Sequence, residues 1–443
     1  MAKNREKAVP SKRLSRFGRM ARMASGVAAG MLSEGAKQIG QGNRPKIKDM
    51  LLTPTNAKRV ANQLSTMRGA AMKVGQLLSM ETREFLPPEL ADILAELRNR
   101  AFIMPDAQLE NCMLEAYGPD WQKRFDSFQR QPIAAASIGQ VHRATTLDGD
   151  DIVLKIQYPG VRQSIDSDVD NIASLLRVTR LLPKEVEIDT ILDDAKKQLH
   201  EEADYFQEAA YMQQFSNALK NEMDFVVPDY FEDLSTDKIL AMSYVAGEPI
   251  ENLETLNESD KNALIENLFK LMLFEFFDLR LMQTDANFAN YLYHAQDKNI
   301  ALLDFGASRA FSKTFVINYK RLLRAVCSGD KSELIDAADR LGYDASTASD
   351  AYQEFLIEVF EIALEPFAHQ GVYNFKDARI SERIAAMSDV GLDFKEFWRV
   401  PPSDILYLHR KIAGMYLLAA RIDAEINLNT QVMPYLKKLA LDS

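Results

Sequence analysis

Three short segments carry residues of the right type and spacing to handle a phosphorylated substrate. The first is Ile152-Val153-Leu154-Lys155-Ile156, a lysine inside an apolar run, where strand alternation puts Val153 and Lys155 on one face. An ammonium among apolar side chains is costly unless an anion meets it. The second is Asp285-Ala286-Asn287-Phe288-Ala289-Asn290, a carboxylate with an asparagine five residues on. Such a pair can orient a proton at one end and offer an oxygen to a divalent cation at the other. The third is Ile300-Ala301-Leu302-Leu303-Asp304-Phe305-Gly306, fourteen residues from Asn290 to Asp304. It delivers a carboxylate at a strand end, where Mg²⁺ bridging phosphate oxygens can be chelated. Each segment alone has an ordinary reading, as an edge-strand lysine or as loop Asp and Asn. Their order along the chain carries the weight.

Strand lysine, helix glutamate, Asp-x4-Asn and strand-Asp-Phe-Gly is the sequence order of protein kinases. The glycine-rich loop of that class is missing. One strand before Lys155 stands Ala134-Ala135-Ala136-Ser137-Ile138-Gly139-Gln140-Val141-His142. Glycines let backbone N–H groups approach phosphates closely, and alanine methyls restrict both that approach and the available φ angles. A nucleotide should therefore be held in a different pose, which counts against ordinary protein phosphorylation.

The elements that must position these residues are legible from periodicity. Strands are expected over 138–144 and 152–157, joined at a Gly149-Asp150 turn, and again over 225–231 and 239–244. Helices are expected over 55–100, with a stop near Leu86-Pro87-Pro88, over 106–117 before Gly118-Pro119, and over 166–181 and 189–219. From Glu258 onward the chain reads as mainly helical, interrupted at 290–293 and 300–304. We divide it into a basic arm (1–46), a helical extension (47–130), a small mixed lobe (131–247) and a larger helical lobe (248–443). That is an α+β, two-lobe kinase-like layout with an N-terminal helical extension.

Composition removes several alternatives. The chain of 443 residues is 47% hydrophobic, enough for a sizeable core. Two distant cysteines, Cys112 and Cys327, argue against a zinc cluster or disulfide framework, and the five histidines form no HExxH pair. The most apolar stretch, 268–277, contains Lys270 and Glu275 and reads as a buried helix rather than a membrane span. The early apolar stretch 23–32 is short and rich in small residues, unlike a secretory signal.

Charge is uneven. Residues 1–46 carry a net +9 and the remainder −20, within a total of −11. An acidic body argues against nucleic acid as a partner. Within the arm, Leu14, Phe17, Ala21, Ala24, Ala28 and Met31 share one helical face, with Lys12, Arg16, Arg19 and Arg22 opposite. A helix over 12–31 of this kind suits an anionic membrane surface. A self-docked basic arm and a mitochondrial transit peptide are the alternatives. No long removable presequence precedes it, which points to a bacterial, cytoplasmic, peripheral-membrane protein, with the mitochondrial matrix as the alternative.

Further segments resemble the UbiB/ADCK (AarF) group of atypical kinases. They are Met67 through Gln76 with its K-x-G-Q signature (Lys73, Gln76), the alanine-rich segment, Lys155, Glu202-Ala203-Asp204-Tyr205 followed by Glu208-Ala209, Gln283-Thr284-Asp285 through Asn290, and Asp304-Phe305-Gly306. Together they cover about residues 60–310. Gln-Thr-Asp, in place of a histidine-containing loop, resembles the subgroup that supports ubiquinone synthesis.

The resemblance implies that Lys155 pairs with Glu208 and contacts phosphate of ATP or ADP, and that Asn290 and Asp304 hold Mg²⁺. It implies that Asp285 is the catalytic carboxylate, and that Lys73 and Gln76 lie over the site near Glu202 and Asp204, on a helix that blocks protein substrates. Without it, Lys73 reads as a solvated helix lysine. Ala134, Ala135, Ala136 and Ser137 would line the nucleotide, and Met242, Ser243, Tyr244 and Val245 would form the adenine hinge. Ala286 stands where the family has a proline, which would loosen the loop. The expected activity is Mg-ATP turnover in support of quinone synthesis. A small-molecule or protein kinase and a nucleotide-binding scaffold are the alternatives. Expected partners are a quinone precursor or quinone-biosynthesis enzymes, with a homodimer left open.

Overall fold

A computed structural model describes residues 68–81, 103–179, 188–250, 256–285, 287–391 and 402–437. The expected arm helix over 12–31, most of the helical stretch over 55–100, and Ala286 lie outside them. In chain order the elements are α1 (Arg68–Glu81), α2 (Asp106–Tyr117), β1 (Phe125–Phe128), β2 (Ala134–Ala135), β3 (Gly139–Thr146), β4 (Asp151–Gln157), α3 (Val161–Thr179), α4 (Ile188–Glu202), α5 (Tyr205–Leu219), β5 (Phe225–Val226) and β6 (Ile239–Ser243). There follow β7 (Glu248–Pro249), α6 (Glu258–Phe274), β8 (Leu281–Gln283), β9 (Tyr291–His294), β10 (Asn299–Leu302), β11 (Ser308–Ala310), α7 (Lys313–Ser328), α8 (Lys331–Ala338), α9 (Asp350–Ala368), α10 (Ile380–Gly391), α11 (Ser403–Arg421) and α12 (Leu428–Lys437). The mixed fold is the α+β class expected. Two compact units divide it, one formed by residues 1–213 and 229–244, the other by 214–228 and 245–443.

The first unit is built on an antiparallel sheet ordered β1-β3-β4-β6, with β2 against β3. The β3–β4 hairpin closes where expected. Gly149 supplies φ +91°, and its N–H donates to the Thr146 carbonyl at 3.1 Å. Ile152, Leu154 and Ile156 point to one face and are fully buried against Leu109 and Met113 of α2, with Trp121 and Phe125. Each such side chain contributes about 1.5–3 kcal/mol of apolar burial. The opposite face carries Val153 and Lys155, both also buried. A strand covered on both faces reads as a near-continuous apolar run, and β4 does.

Gly139 opens β3 under tight constraint. A Cβ placed there would stand 2.3 Å from the Ile156 carbonyl oxygen, which is backbone and cannot swing away. Gly139→Ala is expected to destabilise this unit by about 1–3 kcal/mol, with a lower urea midpoint as the readout. At Gly149 a Cβ meets nothing within 4 Å. The Ala variant there suffers only the positive-φ penalty, roughly 1–2 kcal/mol.

Two segments differ from expectation. The helix expected over 189–219 is two helices, broken at Ala203-Asp204. The Gln157 side-chain amide donates to the Ala203 carbonyl at 2.8 Å, and Asp204 caps the new helix by accepting from the Gln207 N–H at 3.1 Å. A carboxylate that caps locally competes with helix continuation. The strand expected over 225–231 stops at Val226, because Pro228 has no N–H to extend the ladder.

The second unit holds a four-stranded sheet ordered β5-β10-β9-β7, a β8–β11 ribbon and the long helices. Residues 214–228 group here because β5 pairs in parallel with β10, Phe225 opposite Ile300. Asn257, Ser312 and Ser349 cap α6, α7 and α9 by accepting backbone N–H groups. The α6 axis ends in a single π-turn, Glu275–Leu279, and Arg280 turns the chain into β8 at φ +53°. Phe269, Phe367, Phe375 and Tyr416 pack together from four segments and fill the core.

Candidate functional site

Lys155 does not sit on an edge. Its backbone lies opposite Val141 of β3 on one side and Leu240 of β6 on the other, which removes the ordinary edge-lysine reading. Its ammonium donates to both oxygens of Glu208 on α5, at 2.7 and 3.0 Å. Glu208 is fully buried and the Lys155 side chain is 9% exposed. A charge pair this deep stabilises little relative to apolar packing, because both ions lose hydration. That cost makes the pair a candidate for a functional role.

The alanine-rich segment is held from behind. Ala134 and Ala135 pair with Val141 and Gln140, and the Ala136 N–H donates to the Gly139 carbonyl at 2.9 Å. Ser137 donates through its hydroxyl to Glu202 Oε2 at 2.8 Å, and the other Glu202 oxygen meets Lys73. Lys73 is 3% exposed, so it is not a solvated helix lysine. Gly69, one turn before it on α1, is where a Cβ would stand 3.0 Å from the Ser137 carbonyl and from Ile138. The glycine thus lets α1 approach the segment closely.

Of the two acids expected near Lys73, Glu202 meets it. Asp204 caps α5 and lies 3.8 Å from Arg162. Gln76 lies on α1, three residues after Lys73.

The expected hinge residues end β6. Met242 is buried and pairs with Val153, and the Ser243 hydroxyl accepts from the Asp229 N–H at 2.9 Å. The Tyr244 N–H already donates to the Asp151 carbonyl at 2.9 Å, so it is not a donor for a base. The Arg143 guanidinium stands 4.0 Å over the Tyr244 ring. Val245 belongs to the second unit.

The second unit carries Asp285, Asn290 and Asp304. Asp285 follows β8 and is 14% exposed. One of its oxygens accepts from Asn290 Nδ2 at 3.4 Å and the other faces Arg410 Nη2 at 3.3 Å. Asn290 ends a 3₁₀ turn over Phe288–Asn290 that Asn287 caps. The Leu303 N–H donates to the Asn290 carbonyl at 3.0 Å, which brings the residue preceding Asp304 onto Asn290. Asp304 accepts from the Gly306 N–H at 3.0 Å, and Phe305 is buried 5.2 Å from Phe215.

Among the described residues no cluster of three or more His, Cys, Asp or Glu could hold a metal by itself. One carboxylate and one amide oxygen fit Mg²⁺, which usually keeps waters and takes substrate phosphate oxygens. That donor set suits a metal that arrives with a nucleotide.

Residues 96–338 match the ABC1 atypical kinase-like domain. The chain is 38% identical over 421 residues to the mitochondrial atypical kinase COQ8 of Saccharomyces cerevisiae, covering 95% of this chain and 84% of that one. It is 36% identical over 426 residues to the mitochondrial atypical kinase COQ8B of Rattus norvegicus, covering 96% and 80%. Among solved structures, the Rv3197–erythromycin complex of Mycobacterium tuberculosis has a similar fold, with a TM-score of 0.58 at 23% identity over 85% of this chain and 95% of that one. The fold is an atypical kinase-like one, and the chain belongs to the ABC1 atypical kinase-like family, with strong similarity to its COQ8 members.

Arg410 was not singled out from the sequence. It lies on α11 within Leu408-His409-Arg410-Lys411, which reads as an ordinary amphipathic helix. Its position 125 residues from Asp285 leaves no local signal.

Proposed function

We propose that this chain is a Mg²⁺-dependent ATPase of the atypical kinase class that supports ubiquinone or related isoprenoid-quinone synthesis at a membrane surface. The buried Lys155–Glu208 pair on a central strand carries the reading. It is a cation fixed for an anionic ligand, in a chain whose relatives are named atypical kinases. Lys155 contacts nucleotide phosphate, Asn290 and Asp304 hold Mg²⁺, and Asp285 orients the attacking group. Mg²⁺ when bound neutralises charge on the transferring phosphoryl group. Ala134 through Ser137 meet the nucleotide, held in place by Glu202 and Lys73.

The quinone role follows from the resemblance of the Gln283-Thr284-Asp285 loop and the Lys73 helix to the ubiquinone-supporting subgroup. The membrane role follows from the charge pattern of residues 12–31. No helix among the described residues is long and apolar enough to cross a membrane. A peripheral position, in the bacterial cytoplasm or the mitochondrial matrix, agrees with both.

The test is phosphate release from Mg-ATP by the purified full chain, with vesicles of anionic or zwitterionic lipid. We expect slow hydrolysis that rises several-fold on the anionic vesicles alone. Absence of Mg-dependent hydrolysis on both surfaces rejects the ATPase reading, and phosphate found on a lipid or protein acceptor replaces it with a kinase. Normal quinone content in cells lacking the gene rejects the quinone role.

A further inference from the structure

Two further buried ionisable side chains lie in the second unit, away from any ligand role assigned above. Glu275, in the π-turn that ends α6, is fully buried, and Lys411 on α11 is 3% exposed. Among the described residues neither carboxylate oxygen of Glu275 has a partner in hydrogen-bonding geometry. Burial pushes Glu275 up to about 7, against the pull of Lys411. Burial lowers Lys411, and Glu275 opposes it.

The Lys411 ammonium donates to Gln283 Oε1 at 3.1 Å and to the Tyr291 hydroxyl at 2.6 Å. Tyr291 in turn donates to the same Gln283 oxygen at 3.2 Å. Gln283 is the last residue of β8, two before Asp285, and Tyr291 is the first of β9, directly after Asn290. Lys411 thus ties together the two ends of the loop that carries both residues. Its neighbour Arg410 faces the Asp285 carboxylate. An apolar side chain would pack α11 without the desolvation penalty. What it would lack is a fixed span between Gln283 and Tyr291.

We propose that Lys411 is a positioning residue that sets the distance between Asp285 and Asn290 by clamping Gln283 to Tyr291. This rests on the Mg-ATP reading above. The clamp acts through loop geometry and touches no substrate, so small displacements of the loop translate into large losses of rate.

The test compares the full chain with Lys411→Met, Glu275→Gln/Lys411→Met and Tyr291→Phe. Three quantities are read: ATP turnover, the Mg²⁺ dependence of fluorescent-nucleotide binding, and the thermal midpoint. For Lys411→Met we expect kcat to fall on the order of 100-fold with KM for ATP within about threefold, because the Lys155 side is untouched. Mg²⁺ half-saturation should rise.

In the double variant the midpoint recovers, since no uncompensated carboxylate remains buried, but kcat stays low. Recovery of kcat along with the midpoint overturns the inference, because stability alone would then explain the loss. So does a wild-type kcat in Lys411→Met. If that variant does not fold, Tyr291→Phe decides, since it keeps the ring and removes one clamp atom. There, about tenfold lower kcat at an unchanged midpoint is expected, and a wild-type kcat overturns the inference. A wild type that binds Mg-nucleotide without turning it over rejects the ATPase reading alone. The inference is then judged on Mg²⁺ half-saturation, which must rise in Tyr291→Phe for it to stand.

Discussion

Asp304→Asn lowers Mg-ATP turnover by at least about 100-fold while leaving the fold intact. The Asp304 side chain has two tasks. One oxygen accepts the Gly306 N–H at 3.0 Å, which shapes the Asp-Phe-Gly turn. An asparagine carbonyl can keep that bond. In the proposed function its other task is to present negative charge to Mg²⁺, and a neutral amide would lose most of it. Phe305 stays buried against Phe215, so the thermal midpoint should move little. The measurement is phosphate release together with the midpoint. Turnover unchanged from wild type would remove Asp304 from the metal site and, with it, the main chemical argument for an ATPase.

The second large effect is on stability. Glu208→Gln removes the carboxylate of a pair in which Glu208 is fully buried and Lys155 9% exposed. Breaking one side of such a pair destabilises by about 3–5 kcal/mol. The lysine is then no longer fixed by two hydrogen bonds to Glu208, so nucleotide affinity should fall at least about tenfold. Lys155→Met/Glu208→Gln should regain most of the stability, since neither member of the pair is then charged, and none of the nucleotide affinity. Urea denaturation and nucleotide titration separate the two effects. If Glu208→Gln is as stable as wild type and binds nucleotide as tightly, the pair has no role in either.

Much of the first unit was legible because its elements are local. A Gly149-Asp150 turn between apolar runs defines the β3–β4 hairpin, and alternation puts Lys155 beside Val153. The Asp106–Tyr117 helix is bounded by Pro105 and Gly118, both strong punctuation. The break at Ala203-Asp204 was not legible. It depends on Gln157, 46 residues away, taking the Ala203 carbonyl. The meaning of Lys73 was likewise hidden. A helix lysine between Met72 and Val74 reads as solvated until α4 brings Glu202 to it.

By itself the sequence determined the chemistry on offer: a strand lysine, the Asp285/Asn290 spacing and an Asp-Phe-Gly at a strand end. Residue types and short spacings are properties of the chain, so they can be read along it. The tertiary structure alone decided which charges meet. Lys155 with Glu208, Lys73 with Glu202, Ser137 with Glu202, Arg410 with Asp285, and Lys411 with Gln283 and with Tyr291 lie 53, 129, 65, 125, 128 and 120 residues apart. The physical reason is desolvation. Burial makes each lone ion or polar group expensive, so the packed chain must supply a partner from wherever the fold brings one near.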